Sequence, residues 1–218
     1  MHNKQVIKEI LQEQKLLPLY YHDSEEVSIS ILDHLYKAGV RLVEYTNRGE
    51  NALHNFKLLK KHAGENLPGL HIGVGTIKTK KQARKFVDAG CDFMVSPIVN
   101  KELGEVADDH KLLWIPGCMT PTEIALAEEY GAEIIKIFPG NLLGPSYINS
   151  IKELFPDIKF IPTGGVEPEE KNLREWFASG VIAVGLGSKL ISTSMVNTKN
   201  YEGIRQNTEK VLQILKEI

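Results

Sequence analysis

Eight short apolar runs, each separated from the next by an amphipathic stretch, constrain this chain more than any other feature. The runs cover residues 16–21, 41–46, 71–76, 91–97, 112–117, 133–139, 158–164 and 181–187. Each is rich in Val, Ile, Leu or aromatic residues, and most end on Gly, Pro or a small polar residue, the pattern of a strand. Between the first two, Val27, Ile31, Leu32 and Leu35 fall at i, i+4, i+5 and i+8, one face of a helix. Thr120-Pro121-Thr122-Glu123 has the form of a capping box with Pro at the first helical position. Val6, Ile7, Ile10 and Leu11 near the start, and Val211, Leu212, Ile214 and Leu215 near the end, predict two further helices.

A glycine closes a helical stretch at Ala38-Gly39-Val40, Ala89-Gly90-Cys91, Tyr130-Gly131-Ala132 and Ser179-Gly180-Val181. Glycine there fits a left-handed C-terminal cap. The four sites precede the second, fourth, sixth and eighth runs, so the period is two βα units. Eight such units in 218 residues predict a (β/α)8 TIM barrel near the lower size limit, with an additional N-terminal helix. A doubly wound open sheet shows the same alternation and stands as the alternative. No linker or low-complexity tract interrupts the pattern, so one domain over 1–218 is expected.

Composition closes several functional classes. Apolar residues make up 42% and the formal net charge is -2, values that argue against disorder. Lys plus Arg number 26 against 28 Asp plus Glu, without the basic excess of a nucleic-acid binder. No apolar run approaches the roughly 20 residues that span a bilayer. The first fifteen residues alternate charged with apolar side chains and lack a signal-peptide core. Cys91 and Cys118 are too few for a disulfide framework. A cytoplasmic protein with no nucleic-acid or membrane partner is expected.

In a barrel, polar residues at the C-terminal strand ends converge on one mouth. Lys136 lies in Glu133-Ile134-Ile135-Lys136-Ile137-Phe138-Pro139, with apolar neighbours on both sides. Lysine is almost never fully buried without a partner. An amine held out of water gives up its proton more readily and can then add to a carbonyl to form a Schiff base. A lysine snorkelling from a strand end to solvent fits the same position. In Leu42-Val43-Glu44-Tyr45-Thr46, alternation puts Glu44 on one face with Leu42 and Thr46. If both faces point inward, Glu44 and Lys136 meet, as a proton shuttle for imine chemistry or as a plain buried ion pair.

Arg48, two residues beyond Thr46, carries a fork suited to a carboxylate or phosphate, although a loop arginine is usually solvated. Thr163-Gly164-Gly165 and Gly185-Leu186-Gly187-Ser188 end the seventh and eighth runs, where barrels often bind phosphate through backbone N–H groups. The seven histidines, at 2, 22, 34, 54, 62, 71 and 110, show no His-x-His or His-x3-His spacing for a metal. Lys78, Lys80, Lys81, Arg84 and Lys85 read as a solvated helix face. No histidine partner is legible for Cys118.

With these residues assembled, the chain resembles the 2-keto-3-deoxy-6-phosphogluconate (KDPG) aldolase family, which includes 4-hydroxy-2-oxoglutarate (KHG) aldolases. The matching stretches are Val43-Glu44-Tyr45-Thr46-Asn47-Arg48, Gly73-Val74-Gly75-Thr76, Val95-Ser96-Pro97, Ile115-Pro116-Gly117, Ile135-Lys136-Ile137-Phe138-Pro139, Phe160-Ile161-Pro162-Thr163-Gly164-Gly165 and Val184-Gly185-Leu186-Gly187-Ser188. The resemblance implies a class I lyase that cleaves a 2-keto acid to pyruvate and an aldehyde, glyceraldehyde 3-phosphate or glyoxylate. It implies Lys136 as the Schiff-base lysine and Glu44 as the general acid/base. Arg48 and Thr76 would hold the pyruvyl carboxylate, and Pro97, Phe138 and Thr163 would line the pocket. Gly164, Gly165, Gly187 and Ser188 would receive phosphate. No metal or other cofactor is implied, and the assembly would be a homotrimer.

Two departures bear on phosphate recognition. Many relatives carry an arginine near the end of the first strand, where this chain reads Leu19-Tyr20-Tyr21-His22. Their Phe-Pro-Ala-Glu after the sixth strand is Phe138-Pro139-Gly140-Asn141 here. A phosphate-binding barrel isomerase or transferase without Schiff-base chemistry is the competing reading, and a non-catalytic sugar-phosphate sensor is a third. The isomerase or transferase reading leaves Lys136 and Glu44 as an incidental pair.

Overall fold

In the computed structural model, which describes residues 3–218, a strand forms at each apolar run, the fifth extending one residue beyond its run to Cys118. Met1 and His2 of the expected N-terminal segment lie outside the described residues. The strands are β1 (Leu16–Tyr20), β2 (Leu42–Thr46), β3 (His71–Gly75), β4 (Phe93–Ser96), β5 (Leu113–Cys118), β6 (Ile134–Ile137), β7 (Lys159–Pro162) and β8 (Val184–Leu186). All pair in parallel in the order β7-β6-β5-β4-β3-β2-β1-β8. The two end strands meet through a Thr163–Gly185 bridge, and the Ile182 N–H donates to the Phe160 carbonyl at 3.1 Å. The sheet therefore closes into a barrel, and the open doubly wound sheet is excluded.

Among the described residues, ten α-helices accompany the strands: α1 (Asn3–Gln14), α2 (Glu25–Lys37), α3 (Ala52–Asn66), α4 (Lys80–Asp88), α5 (Lys101–Asp109), α6 (Pro121–Glu129), α7 (Gly140–Ile151), α8 (Glu170–Ala178), α9 (Thr193–Asn197) and α10 (Tyr201–Lys216). The glycines of the repeat have φ of +105° at Gly39, +80° at Gly90, +85° at Gly131 and +101° at Gly180, so each ends its helix in the left-handed region as expected. At α6, Glu123 accepts from the Met119 and Thr120 N–H groups at 2.7 and 2.8 Å, while Thr120 Oγ1 accepts from the Glu123 N–H at 3.3 Å. The capping box is thus formed. Although burial opposes ionisation, those hydrogen bonds hold the Glu123 carboxyl below its ordinary range. On α4, Ala83 and Phe86 face the core while Lys81, Arg84 and Lys85 are exposed, the solvated basic face the spacing predicts.

Period-two alternation sorts the strand side chains into an outer layer under the helices and an inner layer. Inside, Leu17, Leu42, Phe93, Leu113, Ile134 and Ala183 form one cluster with Ile7 and Leu11 of α1. Helix α1 therefore packs onto the inner cluster at the strands' N-terminal ends. Burying Ile7 and Leu11 contributes about 1.5–3 kcal/mol each. Gln14 latches the helix there. Its Nε2 donates to the Leu16 and Leu42 carbonyls at 2.5 and 3.0 Å, and its Oε1 accepts from the Arg41 and Leu42 N–H groups at 2.6 and 3.2 Å. Gln14→Ala leaves those four backbone groups without that partner, and urea denaturation should register a loss of about 1–3 kcal/mol. An unchanged midpoint would show that water replaces the latch at no cost.

Candidate active site

Leu42, Glu44 and Thr46 occupy the inner face of β2, and Ile134, Lys136 and Phe138 that of β6 and its exit. The two strands are not neighbours in the sheet, yet Lys136 Nζ lies 3.7 Å from Glu44 Oε1. Lys136 is 6% exposed and Glu44 1%, so the lysine does not snorkel to bulk solvent. The amine also sits 5.5 Å from the centre of the Phe138 ring.

Two glycines on β3 create the space for this meeting. Register pairs Glu44 with Gly73 and Thr46 with Gly75, and both glycines face inward. A Cβ on Gly75 would collide with Glu44 Oε1, and one on Gly73 would collide with the Phe93 ring. Both oxygens of Glu44 are buried, and neither accepts a hydrogen bond. A carboxylate used only to stabilise the fold would have its acceptors filled, because a buried unsatisfied oxygen is costly. The Glu44 Oε1 instead faces the Lys136 amine across 3.7 Å.

The remaining expected residues surround the mouth. Thr76 follows β3 with φ +62°, a left-handed conformation unusual for a β-branched residue. Its neighbours hold it there: the Asn47 N–H donates to the Gly75 carbonyl at 2.8 Å, and the Ile77 N–H to the Val95 carbonyl at 3.3 Å. Such conformations concentrate at functional sites. Pro97 is half-buried beyond β4, with its carbonyl against Gly117, where a Cβ would lie 2.9 Å away. Phe138 is 37% exposed, and its ring lies beside Gly164. Thr163 is buried and projects into the space that Gly185 leaves. The Gly140 N–H donates to the Thr163 carbonyl and the Asn141 N–H to the Gly164 carbonyl, both at 2.8 Å, tying the β6 and β7 exit loops together.

Gly187 opens a turn in which its carbonyl accepts from the Leu190 and Ile191 N–H groups at 2.9 Å, and Ser188 is exposed on it. Arg48 is exposed and lines the same cavity of about 450 Å³ as Gly187 and Ser188. A cavity of about 480 Å³ at the other end of the barrel, lined by Glu13, Gln14, Arg41 and Glu209, contains none of these residues. Size alone does not locate the chemistry. Burial pushes the Cys118 thiol up to about 12, and Glu123 adds to the effect. That shift disfavours the thiolate a nucleophile needs, and Cys118 is buried.

The spacing role of Gly73 and Gly75 is not among the expectations from sequence, although glycines at i and i+2 of a strand already signal a cleared inner face.

The family model for KDPG and KHG aldolases matches residues 7–207. A 2-dehydro-3-deoxy-phosphogluconate aldolase of Haemophilus influenzae is 29% identical over 216 residues, 97% of this chain and 98% of that protein. A 2-dehydro-3-deoxy-6-phosphogalactonate aldolase of Escherichia coli is 39% identical over 120 residues, 55% of this chain and 58% of that protein. Among solved structures, the KDPG aldolase of Legionella pneumophila superposes with a TM-score of 0.85 at 26% identity, covering 94% of this chain and 97% of that one. That enzyme was captured with pyruvate as a covalent carbinolamine. Matched in sequence over nearly its whole length and in fold to enzymes of one kind, the chain is an aldolase that belongs to the KDPG and KHG aldolase family.

Proposed function

We propose that the protein cleaves a 2-keto-3-deoxy sugar acid, KDPG or 4-hydroxy-2-oxoglutarate, to pyruvate and an aldehyde through an imine on Lys136. The observation that carries this reading is the Lys136–Glu44 pair: 3.7 Å apart, on the inner face of the barrel, with both carboxylate oxygens free of protein donors.

The chemistry follows from the two groups. The Lys136 amine adds to the C2 ketone, and the carbinolamine loses water to give an iminium. Glu44 takes the C4 hydroxyl proton as the C3–C4 bond breaks, and the bonding pair flows into the iminium to leave an enamine. The C4 fragment departs as the aldehyde. Glu44 returns the proton to C3 and water hydrolyses the imine, releasing pyruvate and restoring the amine. No metal or other cofactor takes part in this scheme. Arg48 and Thr76 hold the substrate carboxylate so that C2 faces Lys136. Pro97, Phe138 and Thr163 form the apolar and hydroxyl walls. Gly164, Gly165, Gly187 and Ser188 receive a phosphate at the far end, with positive φ at Gly164 and Gly165 supporting that use.

Borohydride reduction in the presence of pyruvate tests this directly. One reduced pyruvate should appear on Lys136 by peptide mass spectrometry, and no adduct at saturating pyruvate would end the Schiff-base reading in favour of an isomerase or transferase. Relative cleavage rates on KDPG and on 4-hydroxy-2-oxoglutarate then identify the preferred substrate.

Assembly as a homotrimer fits the exposure of the large apolar side chains Ile98, Met119 and Leu142 beyond β4, β5 and β6, which association would cover. No described helix is long and apolar enough to cross a membrane, in keeping with a cytoplasmic enzyme.

A further inference from the structure

Among the described residues no donor binds either oxygen of Glu44, so no hydrogen bond fixes where the carboxylate points. A base has to be held closely, since a misplacement of about 1 Å can cost on the order of 10²-fold in rate. Packing must therefore do the holding, and the inner layer of the barrel shows which side chain does it.

In the β2–β3 register Glu44 stands opposite Gly73, and Thr46 opposite Gly75. A glutamate side chain is long enough to lie over either glycine. It lies over Gly75, one rung nearer the mouth, where a Cβ would meet Oε1, Cδ and Cγ. The space over Gly73 is taken from the other side. There the outer half of the Phe93 ring covers the glycine, and a Cβ would collide with Cε1, Cε2 and Cζ. Phe93 comes from β4, shares the inner cluster with Leu42, Val95 and Leu113, and is fully buried. Leu42 fills the inner face of β2 below Glu44. Two glycines two residues apart thus house side chains from the two flanking strands. Interiors are packed too tightly for a ring and a carboxylate to share one slot. With Gly73 covered, the carboxylate is left the slot over Gly75, which brings Oε1 to the Lys136 amine.

We propose that Phe93 is a positioning residue whose ring blocks the slot over Gly73 and so steers the Glu44 carboxylate to Lys136 and the reacting carbons. The proposal rests on the Schiff-base reading, and its test separates the two. Pyruvate alone reports on both steps. Borohydride trapping measures imine formation on Lys136. Deuterium wash-in at the pyruvate methyl, followed by NMR in D2O, measures proton transfer by Glu44. Glu44 takes a C3 proton, the C–H pair forms the C2–C3 double bond of the enamine, and the iminium pair returns to nitrogen. Return of a deuteron to C3 completes the exchange. Wild type, Phe93→Leu, Phe93→Ala, Glu44→Gln and the Phe93→Leu/Glu44→Gln double variant are compared in both assays. Leu keeps an apolar inner residue while withdrawing the ring tip, so it carries the test if Phe93→Ala does not fold.

Phe93→Leu should slow methyl exchange by about 10- to 100-fold, while trapping stays within about threefold of wild type. Folded Phe93→Ala should lose at least as much. On the Glu44→Gln background, Phe93→Leu should cost no further exchange, because the ring acts only through the carboxylate. Equal losses of trapping and exchange would mark a general packing defect and overturn the proposal. So would wild-type exchange in folded Phe93→Leu, or the same loss with and without the Glu44 carboxylate. If Glu44→Gln exchanges as fast as wild type while trapping persists, the imine stands and only this inference falls. If the wild type traps no pyruvate, the mechanism falls and the proposal with it.

Discussion

Lys136→Arg is expected to lose aldol cleavage by about 10⁴-fold or more, and to form no borohydride-trapped adduct with pyruvate. The substitution is chosen for what it preserves. Arginine keeps a cation opposite Glu44, so the carboxylate retains its partner and the barrel its charge balance. A guanidinium stays protonated in proteins and does not condense with a ketone. The phosphate side of the mouth is untouched. Circular dichroism and the urea midpoint should therefore stay close to wild type while turnover disappears. Cleavage within about tenfold of wild type by a folded Lys136→Arg protein would contradict covalent catalysis at this position, since positioning and charge would then suffice.

The features that were legible in the sequence share one property: they depend on local periodicity. Alternation groups Glu44 with Leu42 and Thr46, and Lys136 with Ile134 and Phe138, each set on one strand face. That both faces point inward and bring the pair together comes from the closed barrel. The four helix-ending glycines required a left-handed residue whatever the tertiary context. Thr120 and Glu123 cap a helix through contacts three residues apart. Strand ends were less legible because pairing, not propensity, sets them. The expected 181–187 run contracts to Val184–Leu186, matched in register to Leu16, Leu17 and Pro18 of β1. The 133–139 run stops at Ile137, two residues before Pro139, which has no N–H to give a ladder.

What escaped the sequence is relational. Clearing β3 for the Glu44 carboxylate involves glycines about thirty residues away, and the collision they avoid exists only once the register Glu44–Gly73 is known. The short helix α9 has no periodic apolar face long enough to detect, yet it contributes to the cavity beside Ser188. Helix α7 breaks at Gly144, with φ +71° and ψ 171°, just before Pro145, so it is two helical pieces.

Glu44→Gln separates the two roles that a buried pair can play. Gln has the same shape, and Gly75 leaves it the same room, so packing gives no reason for the site to rearrange. What it lacks is the capacity to take a proton from the C4 hydroxyl. Loss of a positioned general base lowers kcat by about 10²- to 10⁴-fold. Pyruvate condensation with Lys136 should survive, because addition to the ketone does not involve the C4 proton. The expected result is thus a split: an adduct that still forms on borohydride treatment in a protein that barely turns over. A merely structural ion pair predicts the opposite. Removing one partner of such a pair costs about 3–5 kcal/mol of stability, while the molecules that remain folded keep a normal kcat. The distance already leans toward chemistry, since at 3.7 Å the pair is too long for a hydrogen bond and leaves both carboxylate oxygens without a donor. A folded Glu44→Gln enzyme with wild-type kcat would remove Glu44 from the mechanism and require another base within reach of C4.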